Sequence, residues 1–304
     1  MRLGIMIGSD GARLTMDDLV ERGKAAAKAG LNDVWLANIF SFDAITTLAV
    51  MGREVPELGF GTAVTPTYPR HPTAIAQQAL TAAACTGNRF TLGIGLSHKV
   101  VIEDMLGMSY DKPARHMREY LSVLMPLLNG ETAQFKGDEY QVQGVTLDVP
   151  GSESVPVVIA GLGPVMLRLA GEMADGTNTW MVGPNTMEQH IVARLSRAAN
   201  AAGKPQPKVV GGFPIVLTGD VEGAKAKIAE SLTIYGQLPS YRAMLDREGV
   251  AGPADVAMVG DEQTLRAGLA RLRDMGVTHF NGAIADVEPG AYTRTLEFLG
   301  SALD

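Results

Sequence analysis

Pro156-Val157-Val158-Ile159-Ala160-Gly161-Leu162-Gly163-Pro164, then a helical pattern to Ala174, then Gly176-Thr177-Asn178-Thr179-Trp180-Met181: this stretch decides the fold. A short apolar run passes through a glycine turn into a helix opening on Pro164, and a second strand-length run follows. Strand, turn, helix and strand in that order make the unit of a parallel sheet, whose neighbouring strands need a crossover connection. Proline suits the first helical turn because the N–H it lacks would have had no partner there.

Working outward, the same unit recurs. Towards the N-terminus, strands are expected at 3–7, 33–37, 58–64 and 90–96. Helices are expected from a Thr15 cap, with Asp17 and Asp18 in the first turn, to a stop at Gly30, then over 43–51, 73–86 and in segments up to Asn129. Towards the C-terminus, strands are expected at 209–217 and 278–284. Helices are expected at 186–201, irregularly up to Glu248, and at 289–303. Between the fourth and fifth units, 130–154 carries Phe135-Lys136-Gly137-Asp138-Glu139-Tyr140 and Val145-Thr146-Leu147-Asp148-Val149, which reads as a hairpin insertion. Eight strands, each followed by helical sequence, predict a single (β/α)8 TIM barrel over 1–304. The rival, an open doubly wound sheet, carries a glycine fingerprint after its first strand. Gly8-Ser9-Asp10-Gly11-Ala12-Arg13 contains no G-x-G-x-x-G.

Composition narrows the function. The 304 residues are 46% hydrophobic and 19% charged, enough apolar material for a large core. A net charge of -7 argues against a nucleic-acid partner. The lone cysteine, Cys85, excludes an intrachain disulfide and sits in an apolar helical run, where packing is its expected role. The chain begins directly on a strand, and no apolar run approaches the ~18 residues of a membrane span. A soluble cytoplasmic protein without a membrane partner is expected.

Several motifs fail on inspection. Gly93-Ile94-Gly95-Leu96-Ser97-His98 and Gly161-Leu162-Gly163-Pro164-Val165-Met166 start like dinucleotide fingerprints but hold His98 and Met166 at the third glycine. Ser97 lacks the second glycine of a nucleophile elbow. His71, His98, His116, His190 and His279 form no close ligand pair, so no metal is expected.

What remains lies at strand ends, where a barrel carries its active site. Trp35 reads as a core aromatic, and Asn38 as either a helix cap or a ligand contact. Gly59-Phe60-Gly61-Thr62-Ala63-Val64-Thr65-Pro66-Thr67 is thin enough to admit something bulky and flat, or is an ordinary turn. Gly93 and Gly95 thin the wall again, and His98 emerges at the rim, where a lone histidine is more often a surface residue than a catalyst. The 158–164 turn frees backbone N–H groups at the positive end of a helix, which suits a phosphate or a tight turn equally.

Three of these stretches carry a resemblance: Gly61-Thr62-Ala63-Val64-Thr65-Pro66-Thr67, Arg89-Phe90-Thr91-Leu92-Gly93-Ile94-Gly95, and Ala160-Gly161-Leu162-Gly163-Pro164 with Ala174-Asp175-Gly176. In order and at their strands, they make the chain resemble the luciferase-like flavin and deazaflavin barrels, in particular the coenzyme F420-dependent oxidoreductases. The resemblance implies a cis peptide at Ala63-Val64 behind the cofactor ring, with Asn38 and Thr65 nearby. It implies ring contacts from the rim after the fourth strand, Leu96, Ser97, His98 and Val100. It also implies that Ala160, Gly161, Leu162, Gly163 and Pro164 contact the cofactor's tail phosphate. Sugar-phosphate dehydrogenases of this family end strand two in Asp-His and place a Glu after strand four. Asn38-Ile39 and His98 stand there instead, which argues against a glucose-6-phosphate dehydrogenase.

The resemblance further implies hydride transfer between deazaflavin C5 and a small organic substrate, with His98 as the candidate proton carrier. The alternatives are an FMN-dependent monooxygenase on the same barrel and a non-catalytic F420-binding protein. Homodimerisation is implied by the resemblance alone. The substrate is not legible, although Phe40, Phe42 and Tyr68 suggest an apolar pocket near the mouth.

Overall fold

The computed structural model describes residues 1–8 and 13–303, so most of the turn after the first strand, 9–12, lies outside the described residues. Eight parallel strands follow one another around a ring: β1 Arg2–Ile7, β2 Asp33–Leu36, β3 Gly59–Thr62, β4 Phe90–Gly95, β5 Val157–Ile159, β6 Gly176–Trp180, β7 Lys208–Leu217 and β8 His279–Ile284. Pairing of β8 with β1, from Arg2 against His279 to Ile5 against Gly282, closes the barrel. The expected (β/α)8 fold is therefore present, with helices packed around the sheet.

Local chemistry sets the element ends. Thr15 and Asp18 form a reciprocal capping box, with Thr15 N–H donating to Asp18 Oδ2 (2.8 Å) and Asp18 N–H to Thr15 Oγ1 (3.2 Å). The same helix stops before Gly30, whose φ of +87° is the left-handed conformation of a C-terminal cap. The expected hairpin is an antiparallel ribbon of Ala133–Lys136 with Gln141–Val145. The Glu119 carboxylate holds its turn by accepting from the N–H groups of Asp138, Glu139 and Tyr140 at 3.1, 2.7 and 3.1 Å.

Two features depart from the sequence expectation. The strand expected through 58–64 ends at Thr62, and a two-residue strand, Thr65–Pro66, resumes pairing with β4 at Ile94 and Gly95. At the break the Thr62 hydroxyl donates to Gly93 O (2.7 Å) and accepts from Gly93 N–H (2.8 Å), so side-chain bonds stand in for the ladder. Further on, Met258–Gly260 pairs with the outer half of β7, and a helix follows at Glu262–Asp274. Neither was expected, because three residues ending in a glycine carry no strand periodicity.

The barrel interior is filled from the bottom. Arg2 binds the Asp33 carboxylate through Nε and Nη2 at 2.8 and 2.7 Å, and burial holds the neighbouring His279 neutral, its pKa pushed down to about 4. Above it Trp35, Val158 and Val210 form an apolar plug. Gly61 makes the plug possible, since a Cβ there would run into the Trp35 ring. The bulky flat group that thins this wall is thus the protein's own indole, and Trp35 is the core aromatic that its sequence context suggests. The space above the plug is left open.

Candidate active site

A cavity of about 520 Å3 occupies that space, at the C-terminal ends of the strands. Its wall includes Met6 from β1, Ala63 and Val64 after β3, Ser97 and His98 after β4, Asn178 and Trp180 on β6, and Asn281 on β8. Segments beyond the ring close over it with Phe40, Leu106, Leu232, Tyr235 and Tyr241.

The Ala63–Val64 peptide bond is cis, as the resemblance implies. Gly95 accommodates the outcome of this bulge: a Cβ at Gly95 would lie 2.7 Å from Val64 Cγ2. The glycine on β4 therefore makes room for the neighbouring segment, and it is Ala63 and Val64 that face the cavity.

His98 reaches the wall through a local turn. Ser97 has a left-handed φ of +60°, and the His98 carbonyl accepts from the N–H groups of Val101 and Ile102 (2.9 and 3.0 Å), starting the π-helical turn Val100–Met105. The imidazole lies 5.9 Å from the Tyr241 ring, tilted by 54°, and has no hydrogen-bond partner among the described residues. Burial lowers its pKa below the usual 6.5, so at pH 7 the ring is neutral. A neutral imidazole is poised as a proton acceptor.

Asn38 stands between the cavity and the next helix, whose N-cap is Asp43. It lines the cavity, and its Oδ1 accepts from Ala44 N–H (3.0 Å) at the head of the helix Ala44–Glu54. Nearby on the wall Arg70 pairs with Asp43 at 2.8 Å. Burial works to raise the Asp43 pKa, but hydrogen bonds from Thr46 and Arg70 outweigh it and hold the carboxyl below its usual value.

Other expected contacts lie elsewhere. Thr65 is buried with its hydroxyl unpartnered, Leu96 packs against the core, and half-exposed Val100 lines an outer groove with Lys99 and Glu103. Phe40 stands at the mouth, but Phe42 does not line the cavity. Tyr68 is buried against His116, ring centroids 3.9 Å apart.

The Ala160 to Pro164 turn is also off the cavity wall. Its carbonyls are engaged: Leu162 O accepts from His190 Nε2 (2.8 Å) and Gly161 O from the Thr177 hydroxyl (3.3 Å). The N–H groups of Gly161, Leu162 and Gly163 donate to nothing among the described residues, and they lead into the N-terminus of the helix Pro164–Met173. No group of three His, Cys, Asp or Glu among the described residues could hold a metal ion, and no helix among them is long and apolar enough to cross a membrane.

Sequence reasoning missed Asn178, Asn281, Tyr235 and Tyr241. The two tyrosines lie in the irregular stretch after β7, where nothing in the pattern fixes orientation. The asparagines did leave a signal, since a carboxamide in the middle of a strand buried in a parallel barrel needs a reason to be there.

Comparison with known proteins agrees with this geometry. The model of the family described as luciferase-like monooxygenase matches residues 1–279. A 5,10-methylenetetrahydromethanopterin reductase of Methanolobus tindarius is 27% identical over 239 residues, covering 78% of this chain and 72% of the relative. Among solved structures, the coenzyme F420-dependent tetrahydromethanopterin reductase of Methanopyrus kandleri superposes with a TM-score of 0.82 at 19% identity, covering 99% of this chain and 97% of that one. The oxygenating constituent of 3,6-diketocamphane monooxygenase from Pseudomonas putida, in complex with FMN, gives 0.78 at 15% identity, covering 100% and 97%. Deazaflavin reductases and flavin monooxygenases thus share this barrel.

Proposed function

We propose, because this chain belongs to the luciferase-like monooxygenase family, that it is an F420-dependent oxidoreductase acting on a small organic substrate. The observation that carries the reading is the cavity itself, with the Ala63–Val64 bulge and His98 both in its wall. Pockets of roughly 300–1,000 Å3 suit cofactor-sized ligands, so about 520 Å3 fits a tricyclic ring beside a small molecule. The orphaned polar atoms on its floor, belonging to Asn178 and Asn281, fit a ring with polar edges. A Mycobacterium tuberculosis relative, 27% identical over 251 residues and covering 77% of this chain, is named a putative coenzyme F420-dependent oxidoreductase, which favours F420 over FMN.

A reduced deazaflavin, when bound, supplies a hydride from its C5 carbon to a C=C, C=N or C=O bond. Ala63, Val64, Asn38 and Ser97, all in the cavity wall, would hold the ring. The free N–H groups of Gly161 to Gly163, at the positive end of the helix Pro164–Met173, would hold the tail phosphate. Phe40, Leu106, Tyr235 and Tyr241 exclude water from the reacting atoms. The neutral His98 imidazole accepts a proton from substrate in the oxidative direction. In the reductive direction it donates once it is protonated.

Fluorescence titration with F420, FMN and NADP tests the cofactor, with F420 expected to bind tightest. Reduced F420 is then offered electron-poor alkenes, imines and ketones. Turnover supports the reductase, and activity only with FMN and oxygen replaces it with a monooxygenase. F420 binding without turnover leaves a carrier.

A further inference from the structure

The floor of the cavity carries two carboxamides that the protein leaves unanswered. Asn178 is 6% exposed and Asn281 1%, and both line the cavity. Yet Asn178 Nδ2, Asn281 Nδ2 and Asn281 Oδ1 have no hydrogen-bond partner among the described residues. A buried polar atom left without a partner is unfavourable, and native interiors rarely tolerate it without cause.

The barrel register shows why no neighbour can help. Asn281 lies level with Gly4 on β1 and Gly212 on β7, so the positions on either side have no side chain. Asn178 lies level with Val210, which has nothing polar to offer. The indole N–H of Trp35, in the plug below, is unpartnered too, so the plug does not use these groups. Among the described residues nothing reaches them, which leaves them to a molecule inside the cavity.

The free atoms define what that molecule presents. Asn281 offers a donor and an acceptor on one amide edge, and Asn178 adds a second donor. Two donors and an acceptor match a cyclic imide, whose two carbonyls accept and whose N–H donates. Apolar Met6, Ala63 and Val64 in the same wall suit the faces of a flat ring. We propose that Asn281, assisted by Asn178, recognises the –CO–NH–CO– edge of a flat heterocycle bound in this cavity. This rests on the cavity being the ligand site proposed above, but not on the choice of cofactor, since F420 and FMN both carry an imide edge.

The test uses F420 and FMN, each beside its N3-methyl derivative, which blocks the imide N–H. Binding is followed by fluorescence to the wild-type protein and to Asn281→Leu. Wild type should prefer the unmethylated form of whichever cofactor it binds by at least tenfold. Asn281→Leu should lose at least tenfold in affinity for that form and discriminate no longer. The melting temperature of the ligand-free variant should be equal to or above wild type, because leucine replaces an unpaired amide; a purely structural asparagine would lower it instead. If cofactor binding ignores both changes, the F420- or FMN-loaded protein is titrated with uracil as a free imide. Binding of uracil that Asn281→Leu abolishes then places the edge on the substrate. Equal binding in every arm, no binding in any, or a marked fall in melting temperature overturns the proposal. Tight binding of FMN with its imide preference intact would remove the F420 reading and leave this one standing.

Discussion

Gly163 shows how a single residue can separate binding from packing. It has an ordinary extended φ of -79°, and a Cβ there would meet nothing within 4 Å. Gly161, two residues earlier, is packed: its Cβ would come within 2.9 Å of Met166 Cβ. Gly163→Val should therefore fold with an unchanged melting temperature while its branches crowd the N–H groups assigned to the phosphate. Each charge-assisted hydrogen bond lost is worth about 1.5–3 kcal/mol, so losing two weakens F420 binding roughly a hundredfold or more. A tail-free deazaflavin should bind wild type and variant alike, and equal loss of both ligands would return the glycine to packing. His98 is tested by pH. Its pKa lies below 6.5, so the protonated donor accumulates only as pH falls. The reductive kcat/KM should climb on acidification from pH 7.5 to 5.5. His98→Gln should flatten that profile and reduce the rate by a factor on the order of a hundred. A profile that keeps its shape in the variant would assign the proton to another group.

At the scale of elements, legibility in the sequence followed the length of the pattern. All eight barrel strands and the helix starts at Thr15 and Pro164 could be read, because alternation and helix-start signals are local. Met258–Gly260 could not, since its pairing with β7 is decided by a distant partner. The interruption after Thr62 came only from the resemblance, as no periodicity marks it. For the site, Asn38 and His98 were singled out from their strand-end positions and Ala63, Val64 and Ser97 only by the resemblance; all five line the cavity. The floor asparagines were hidden inside strands read for their apolar character. The hairpin behind the site gives a prediction at this scale. Glu119 binds three backbone N–H groups of its turn, and these bonds outweigh burial to keep its pKa below the usual value. Glu119→Gln replaces one accepting oxygen with an amide that turns donors against donors. Loss of this charge-assisted clamp should cost about 1–3 kcal/mol in urea unfolding and expose the 138–140 amides to hydrogen exchange. F420 affinity should not change, and a variant that loses cofactor binding with its hairpin still protected would contradict this division of labour.

For the whole molecule, histidines held neutral by burial tie stability to pH: His116 and His279 carry the largest shifts, and His98 and His190 are lowered in the same direction. His116 lies between the segment after β3 and the hairpin: its Nε2 bonds the Thr67 hydroxyl at 2.9 Å, and it stacks on Tyr68. The Thr67 hydroxyl also lies 3.3 Å from Gly95 O, and His116 Nδ1 faces the Tyr140 hydroxyl. Burial pushes the pKa of His116 down to about 4, as it does for His279 at the barrel bottom, despite the nearby carboxylates of Glu139 and Glu119 in one case and Asp33 in the other. An unfolded histidine titrates near 6.5. Between about pH 6.5 and 4 the unfolded chain therefore binds protons that the folded protein refuses, and stability falls as pH falls. Above 6.5 the contribution is complete, and below about 4 the loss levels off. At about 1.4 kcal/mol per pH unit, each of His116 and His279 accounts for roughly 3 kcal/mol, a large part of the ~5–15 kcal/mol that holds a typical fold together. Most of this window lies above the range in which carboxylates such as Asp43 and Glu119 become protonated, so urea unfolding at pH 7 and pH 5 isolates the histidine effect. Wild type should be markedly less stable at pH 5, and His116→Gln, though weaker overall at pH 7, should lose distinctly less between the two. A variant with the same pH slope as wild type would mean that His116 is already solvated and charged in the folded state, and that the Thr67–His116–Tyr140 contacts do not persist in solution.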